Sequence, residues 1–595
     1  MLRLFLALSL LLVALPAAAQ VSLRDSLEQI REASTIPSMG YVVIENGEVL
    51  EIDVIGDADR NAVFRAGSIS KTATTIMLLS LVNEGALLLD TPLRAALPDI
   101  QLVNDWSATS PIRLVDLLEQ TSGLPGTSYA DYGNWPTTLP PTRMAELGRF
   151  ETRWPPGQFF SYANINHTLA AAMAEARTGI SFDTLMAERV FAPLGMRDAS
   201  FDRITAGARF VRSVDTGGRP GEYWDLDVRP SGALVGTIDD IAALARFLAT
   251  DGATAPAPLR DIVPRMRTPE AALVARQGFE HIYGAGLFPF VENEQVYYGH
   301  WGRIDGFQAV IGTNPLTGGG FALVANGQDR RTFARARARL AAEVEGVPVA
   351  APKAGSSDSL QADGWWVPFT DDSVQRAWIS EFLGLVLARV EGDTLLLRPG
   401  LAPWTLTEAD AIAPSYYAID GFPVATHVFA TDEAGETFLL GDSQLTLRRI
   451  GGAEAALRLG GLVLFIVALG LGLVGGSVHA VRRLRGRRDG PGGMWALLWI
   501  AAASAVLLMA LHVRWGMLAP LSDVTALSEP GLRSISLLTL SLLWPIASVL
   551  GLLAAARHMA GGVTLSGATG VIASLSFLLA IAYLATFGFI PLVTW

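Results

Sequence analysis

Phe64-Arg-Ala-Gly-Ser-Ile-Ser-Lys-Thr-Ala73 places Ser68 three residues before Lys71. An apolar run from Thr72 to Glu84 follows, and Gly85 is a stop signal. The pattern predicts a helix that Ser68 opens, with Lys71 one turn on and on the same face. A hydroxyl and an amine then meet through local geometry alone. Serine is a weak nucleophile until a neighbouring base takes its proton. A helix start adds oriented N–H groups that favour negative charge. Lysine can act as that base if burial or nearby positive charge lowers its pKa, whereas arginine stays protonated. Composition sharpens the motif. Lysine and arginine together number 45, yet only Lys71 and Lys353 are lysine. S-x-x-K also recurs by chance on solvated helices, but a chain that otherwise uses arginine and keeps a lysine here argues for chemistry.

Around this stretch lie 595 residues, half of them hydrophobic and 17% charged, a balance that suits membrane attachment. The length implies about three or four domains. A net charge of -12 gives no reason to expect nucleic-acid binding. The absence of cysteine excludes disulfides, thiolate catalysis and cysteine metal sites. Residues 1–19 read as a secretory signal: Arg3, the apolar run Leu4 to Leu15, then Ala17-Ala18-Ala19 before Gln20. The domain after Gln20 is expected to be exported.

Residues 22–345 read as one mixed α/β domain. Leu23 to Ala33 is amphipathic. Gly40 to Ile44 and Val49 to Ile55 are strands joined by Asn46-Gly47, a hairpin signal. Phe307 to Thr313 and Phe321 to Ala325 are two more strands, with Gly318-Gly319-Gly320 between them, and Asp329 to Val344 is a closing helix. A long helical, loop-rich middle between these ends implies a sheet with an inserted helical region. That middle holds Pro155-Pro-Gly-Gln-Phe-Phe-Ser-Tyr-Ala-Asn164. In an extended segment Tyr162 and Asn164 share a side. A tyrosine beside an ammonium can exchange protons, and an asparagine amide can hold a lysine or a substrate carbonyl. Either residue alone reads as well as a buried ring and a cap. Near the end comes Tyr298-Gly-His-Trp-Gly302, where His300 binds substrate or satisfies the fold and Gly302 permits close backbone approach.

In this order, Ser68-Ile-Ser-Lys71, Tyr162-Ala-Asn164 and His300-Trp-Gly302 resemble the motifs of the penicillin-binding protein and class C β-lactamase superfamily of serine hydrolases. Leu117-Leu-Glu-Gln-Thr-Ser-Gly-Leu-Pro125, Pro193-Leu-Gly-Met196 and Ser231-Gly-Ala-Leu234 add to the resemblance, which spans about residues 30–345. It implies a β-lactamase/transpeptidase-like fold and a covalent acyl-enzyme. Ser68 would attack an amide or ester, with Lys71 as base and Tyr162 sharing the proton network. Asn164 would orient Lys71 and contact substrate, and the N–H groups of Ser68 and Arg303 would receive the oxyanion. His300 in place of lysine weakens capture of a carboxylate, and Trp301 is expected to add bulk beside the site. Peptidase or esterase work is therefore expected over efficient β-lactam hydrolysis. A Ser-His-Asp triad has no G-x-S-x-G here, and no H-E-x-x-H signals zinc. No metal or cofactor is expected.

Composition shifts to Ala, Pro, Gly and Ser across 346–361, a linker that contains Lys353. Residues 362–450 read as a small all-β domain, barrel or lipocalin-like. Its hairpins are Gly384–Val390 with Thr394–Arg398, and Thr437–Leu440 with Gln444–Arg449. Trp365, Trp366 and Trp404 are expected in its core. Residues 456–595 form a four-helix transmembrane region with spans at about 459–478, 494–511, 534–556 and 568–590. Arg482, Arg483, Arg485, Arg487 and Arg488 place the first loop in the cytoplasm, and Arg557 and His558 lie on the same side. The first span then enters from outside, in agreement with the signal. Gly470-Leu-Gly-Leu-Val-Gly475 lies inside a span and reads as helix packing rather than nucleotide binding.

The sequence thus predicts an inner-membrane serine hydrolase facing the periplasm, acting on a small molecule or peptide. A D-amino-acid peptide is the substrate the resemblance favours. Membrane-bound prodrug peptidases share part of this layout and give a narrower alternative. A non-catalytic sensor is the alternative of another class.

Overall fold

The computed structural model describes residues 21–594 except 127–138, 203–206, 216, 222–224, 254, 345–361, 371–379, 381–382, 400–406, 414–415, 420–421, 423, 442–444, 488–489, 519–526, 528–529 and 587–588. The expected signal, the linker with Lys353, Trp404 and Arg488 lie outside the described residues.

Helix α1 (Leu23–Glu32) leads into strands β1 (Ser38–Glu45) and β2 (Glu48–Gly56). Asn46 and Gly47, at φ 51° and 77°, make the two-residue turn that the Asn-Gly pair predicts. Both strands run to the turn, because Glu45 still pairs with Glu48. Helix α2 (Ile69–Asn83) carries the motif and α3 (Asn164–Thr178) the second one. After α4 (Ile238–Ala249) come β3 (Phe288–Glu292), β4 (Gln295–Ile304), β5 (Phe307–Asn314), β6 (Gly319–Ala325) and α5 (Arg330–Ala341). The six strands form one sheet in the order β2-β1-β6-β5-β4-β3, every pair antiparallel.

Alternation along β1 shows how the sheet separates two cores. Met39, Tyr41 and Val43 pack with α1 and α5, whereas Val42 and Ile44 face α2 and α4. Helix α2 is buried on all sides from Ile69 to Leu81, the behaviour of a helix that is apolar all round. It begins at Ile69 with Ser68 at its N-cap, as the motif predicts, and Ser70 Oγ donates to Gly67 O at 2.6 Å in the first turn. Two glycines expected in a turn belong to a strand instead: Gly319 and Gly320 pair with Asn314 and Thr313, and only Gly318, at φ 64°, turns the chain. Asp329 caps α5 rather than joining it, accepting from the N–H groups of Arg331 and Thr332.

The all-β part is a closed barrel. Its strands are β7 (Gly364–Pro368), β8 (Val386–Glu391), β9 (Thr394–Pro399), β10 (Thr407–Ala413), β11 (Tyr416–Ala418), β12 (His427–Thr431), β13 (Thr437–Leu440) and β14 (Thr446–Ile450). Pairing of Trp365 with Ile450 closes the ring. Trp366, Tyr417, Phe429 and Leu439 fill the interior, so the barrel has a packed core. Trp365 is only partly buried and packs outside, near Ile450 and Leu459, which corrects the expectation that it lies in the core. The barrel wall meets the α/β domain through Phe369 and Phe438, against Trp154 and Phe159.

Among the described residues, four helices are long and apolar enough to cross a membrane: α6 (Gly452–Leu484), α7 (Gly492–Gly516), α8 (Leu532–Met559) and α9 (Leu565–Ala585). Helix α6 starts directly after β14, where Glu454 pairs with Arg448 of the barrel and Arg458 of the helix. Helix α9 stops at Ala585, short of Ile590. A Cβ at Gly472 would lie 2.7 Å from Leu498 O, and one at Gly475 would lie 2.2 Å from the Trp495 ring. Those glycines seat α6 on α7, whereas Gly470 meets nothing within 4 Å.

Candidate active site

Ser68 stands at the head of α2, and Lys71, one turn later, is 0% exposed. Lys71 Nζ lies 3.2 Å from Ser68 Oγ. It donates to Asn164 Oδ1 at 2.7 Å and to the Ser231 carbonyl at 2.8 Å. Both of those oxygens only accept. An amine held by them in its unprotonated form offers its lone pair towards Ser68 Oγ. The Tyr162 ring lies against the same amine, 4.7 Å from Nζ to the centroid.

Asn164 is the first residue of α3 and Ala163, in extended conformation, precedes it. The expected extended Tyr162–Asn164 pair is therefore split between a strand-like residue and a helix start, yet both side chains meet Lys71. The helix start is fixed by polar groups. Ser231 Oγ donates to the Asn164 carbonyl. Gln120 Oε1 accepts from the Ala163 N–H at 2.9 Å and from Asn166 Nδ2 at 2.7 Å. Gln120 itself sits at φ 58°.

The third motif lies on β4. A Cβ at Gly302 would lie 1.8 Å from Ala66 O and 3.3 Å from Ser68 N. A Cβ at Gly67, at φ 55°, would lie 2.8 Å from Arg303 N. The two glycines let the nucleophile turn and β4 touch backbone to backbone, so the N–H groups of Ser68 and Arg303 come from facing segments. What approaches Gly302 most closely is this turn, which is a tighter demand than substrate access. Trp301 faces away from the site. Strand alternation sends it to the α5 side, where Arg337 stacks on it at 4.9 Å and it stays 45% exposed. The expectation that it adds bulk beside the site is thus corrected.

His300 points inward and is 2% exposed. Its Nδ1 lies 2.6 Å from the Trp301 carbonyl, which only accepts, so Nδ1 carries the proton. Nε2 then accepts from the Tyr283 hydroxyl at 3.0 Å. Burial, with the Lys71 charge second, holds the imidazole down to about 3. Burial also pushes the Tyr283 phenol well above its usual range, so it stays a donor. His167, beside Thr75 Oγ1 at 3.1 Å, is likewise driven down by burial and then by Lys71. A histidine that is neutral when folded and basic when unfolded contributes stability that is fully present above its ordinary value of 6.5. That contribution is lost as pH falls towards about 3. The melting midpoint is expected to drop across this window, and less steeply in His300→Gln. Equal steepness in a pH series of thermal melts would refute the assignment.

Sequence reasoning marks the stretches that hold Gln120 and Ser231 without giving either residue a role, and it passes over Tyr283 and His167. The one local signal for Tyr283 is its setting in Tyr-Gly-Ala-Gly286. There Gly284 abuts the Met266 carbonyl, and Gly286 has φ 71°.

A serine and a lysine on a central helix, faced by an edge region of an antiparallel sheet, define a β-lactamase-like hydrolase. Residues 23–345 match the Beta-lactamase family model, and the chain belongs to that family, whose superfamily members are serine hydrolases. Among its relatives, penicillin-binding protein 4 of Amycolatopsis lactamdurans is 26% identical over 245 residues, 38% of this chain and 64% of that protein. The D-alanyl-D-alanine-carboxypeptidase/endopeptidase AmpH of Escherichia coli K12 is 28% identical over 165 residues, 27% of this chain and 42% of that protein. The chain thus spans less than two thirds of these relatives' length. The octameric penicillin-binding protein homologue from Pyrococcus abyssi is 18% identical with a TM-score of 0.45, covering 71% of this chain and 98% of that one.

Proposed function

We propose that this chain is a membrane-anchored, extracytoplasmic serine hydrolase that cleaves amides or esters through a Ser68 acyl-enzyme. The observation that carries the reading is Lys71 Nζ, poised 3.2 Å from Ser68 Oγ by two carbonyl oxygens. Ser68 Oγ bonds to the substrate carbonyl carbon while its proton passes to Lys71. The N–H groups of Ser68 and Arg303 receive the oxyanion. The C–N or C–O bond then breaks, and the leaving group departs with the proton. Water, losing a proton to the Lys71–Tyr162 pair, attacks the ester carbonyl; the C–Oγ bond breaks, the acid is released, and that proton returns to Ser68 Oγ. Asn164 holds Lys71 and contacts the substrate amide. The names of the relatives favour a D-amino-acid peptide as substrate. The four apolar helices and the arginines after α6 support anchoring with the hydrolase domain outside.

Right-side-out spheroplasts treated with a membrane-impermeant fluorophosphonate test both parts at once. A single adduct on Ser68, absent in Ser68→Ala, is expected by intact mass. Labelling only after permeabilisation would refute the orientation, and a folded protein that never labels would refute the activated serine. Parallel treatment with penicillin asks whether the pocket also accepts a β-lactam.

A further inference from the structure

Third-motif lysines offer a cation to substrate, and here the corresponding side chain is enclosed. Both His300 nitrogens are engaged, one by the Trp301 carbonyl and one by the Tyr283 hydroxyl. The ring is hemmed in by Phe288 at 5.2 Å, Tyr283 at 5.7 Å and Tyr162 at 6.3 Å between centroids. Phe288 belongs to the edge strand, where its ring also lies 5.9 Å from Trp301. Phe160, half-buried, extends the same wall against Tyr283 at 5.6 Å. Tyr283 is tied on its other side by Gln120, the residue that also holds the Ala163 N–H.

Among the described residues, the following cations are committed elsewhere. Lys71 is held by Ser68, Asn164 and Ser231. Arg303 lies opposite Gln308, whose amide donates to the Gly327 and Asp329 carbonyls at the start of α5, so alternation puts Arg303 on the α5 face. Arg267 stacks on Tyr298 at 5.8 Å and is paired with Asp251 through both guanidinium nitrogens. An anion entering this wall would lose its hydration and meet aromatic faces, whose quadrupole repels it.

We propose that the site selects scissile bonds whose leaving side is uncharged and apolar, a neutral ester or an interior amide, and rejects substrates with a free carboxylate beside the bond. This rests on the hydrolase reading above. It separates the chain from a carboxypeptidase, which must accept such a carboxylate. The enclosing device is the Tyr283–His300 pair: the phenol occupies the only ring nitrogen that could otherwise turn to a substrate.

The full chain in detergent would be given three probes: N-acetyl-D-alanyl-D-alanine as free acid, the same dipeptide as its C-terminal methylamide, and a neutral phenyl ester of N-acetyl-D-alanine. The methylamide and the ester are expected to turn over, with kcat/KM for the acid lower than for the methylamide by about a hundredfold or more. In His300→Lys, checked for folding by its melt, the acid-to-methylamide ratio is expected to rise at least about tenfold, mainly through KM for the acid. An acid cleaved as well as the methylamide by the natural protein overturns the selectivity and leaves the hydrolase reading standing. An unchanged ratio in folded His300→Lys overturns the role of the pair. No Ser68-dependent turnover of any probe overturns the hydrolase reading and this inference with it.

Discussion

Lys71→Arg is expected to lower kcat by about a thousandfold, and Lys71→Met by a similar factor. The two variants fail for different reasons. Arginine keeps a cation and donors for Asn164 Oδ1 and the Ser231 carbonyl, but it cannot give up its proton near neutral pH. Methionine keeps the volume of a side chain that is 0% exposed but leaves both oxygens without this donor. Lost donors of that kind cost about 1–3 kcal/mol each, so Lys71→Met should also melt lower. Activity and stability thereby separate. If charge or packing were what Lys71 supplies, Lys71→Arg would approach natural activity. If proton transfer is what it supplies, both variants are slow whatever their melts. The readouts are kcat and the rate of fluorophosphonate labelling at Ser68, normalised to folded protein. A Lys71→Arg protein within about tenfold of natural kcat would remove lysine from the role of base.

What the sequence displays and what it hides divide along sequence distance. The Ser68–Lys71 pair is a three-residue relation on a helix that its own apolar run predicts. The Asn46-Gly47 turn, the Glu391-Gly-Asp393 hairpin and the apolar spans are local in the same sense. The partners of Lys71 are not local: Asn164 is 93 residues away and Ser231 is 160 away, and no periodicity reports either. Their motifs are noticeable only through a resemblance. Tyr283 and Gln120 escape because a tyrosine and a glutamine in loops have many uses, and only the assembled fold shows them sharing a hydrogen bond beneath Tyr162. Trp301 is misplaced from sequence because its neighbours His300 and Gly302 look like a loop motif. Once that stretch is a strand, alternation fixes which side each residue takes.

The same contrast gives the glycine at 302 its weight. Its requirement comes from the Ala66 carbonyl, 236 positions earlier by the numbering. Gly302→Ala is expected to reduce kcat/KM by about a hundredfold or more, at a stability cost of about 1–3 kcal/mol. The added Cβ would start 1.8 Å from Ala66 O, a backbone atom that no rotamer can move aside. Either β4 or the Ala66–Ser68 turn must then retreat by more than about an ångström to reach ordinary contact. That retreat parts the N–H groups of Ser68 and Arg303, and a displaced oxyanion donor alone costs about a hundred- to a thousandfold. A general loss of folding could mimic the effect, and Gly299→Ala on the same strand controls for it. Its Cβ would also lie 1.8 Å from a carbonyl, but that of Ile311 on the neighbouring strand, away from the nucleophile turn. The two variants should lose comparable stability by thermal melt. Only Gly302→Ala should lose most of its activity per folded molecule. Equal losses of activity in both would mean that Gly302 serves the sheet, and that the approach of β4 to Ser68 has no part in the chemistry.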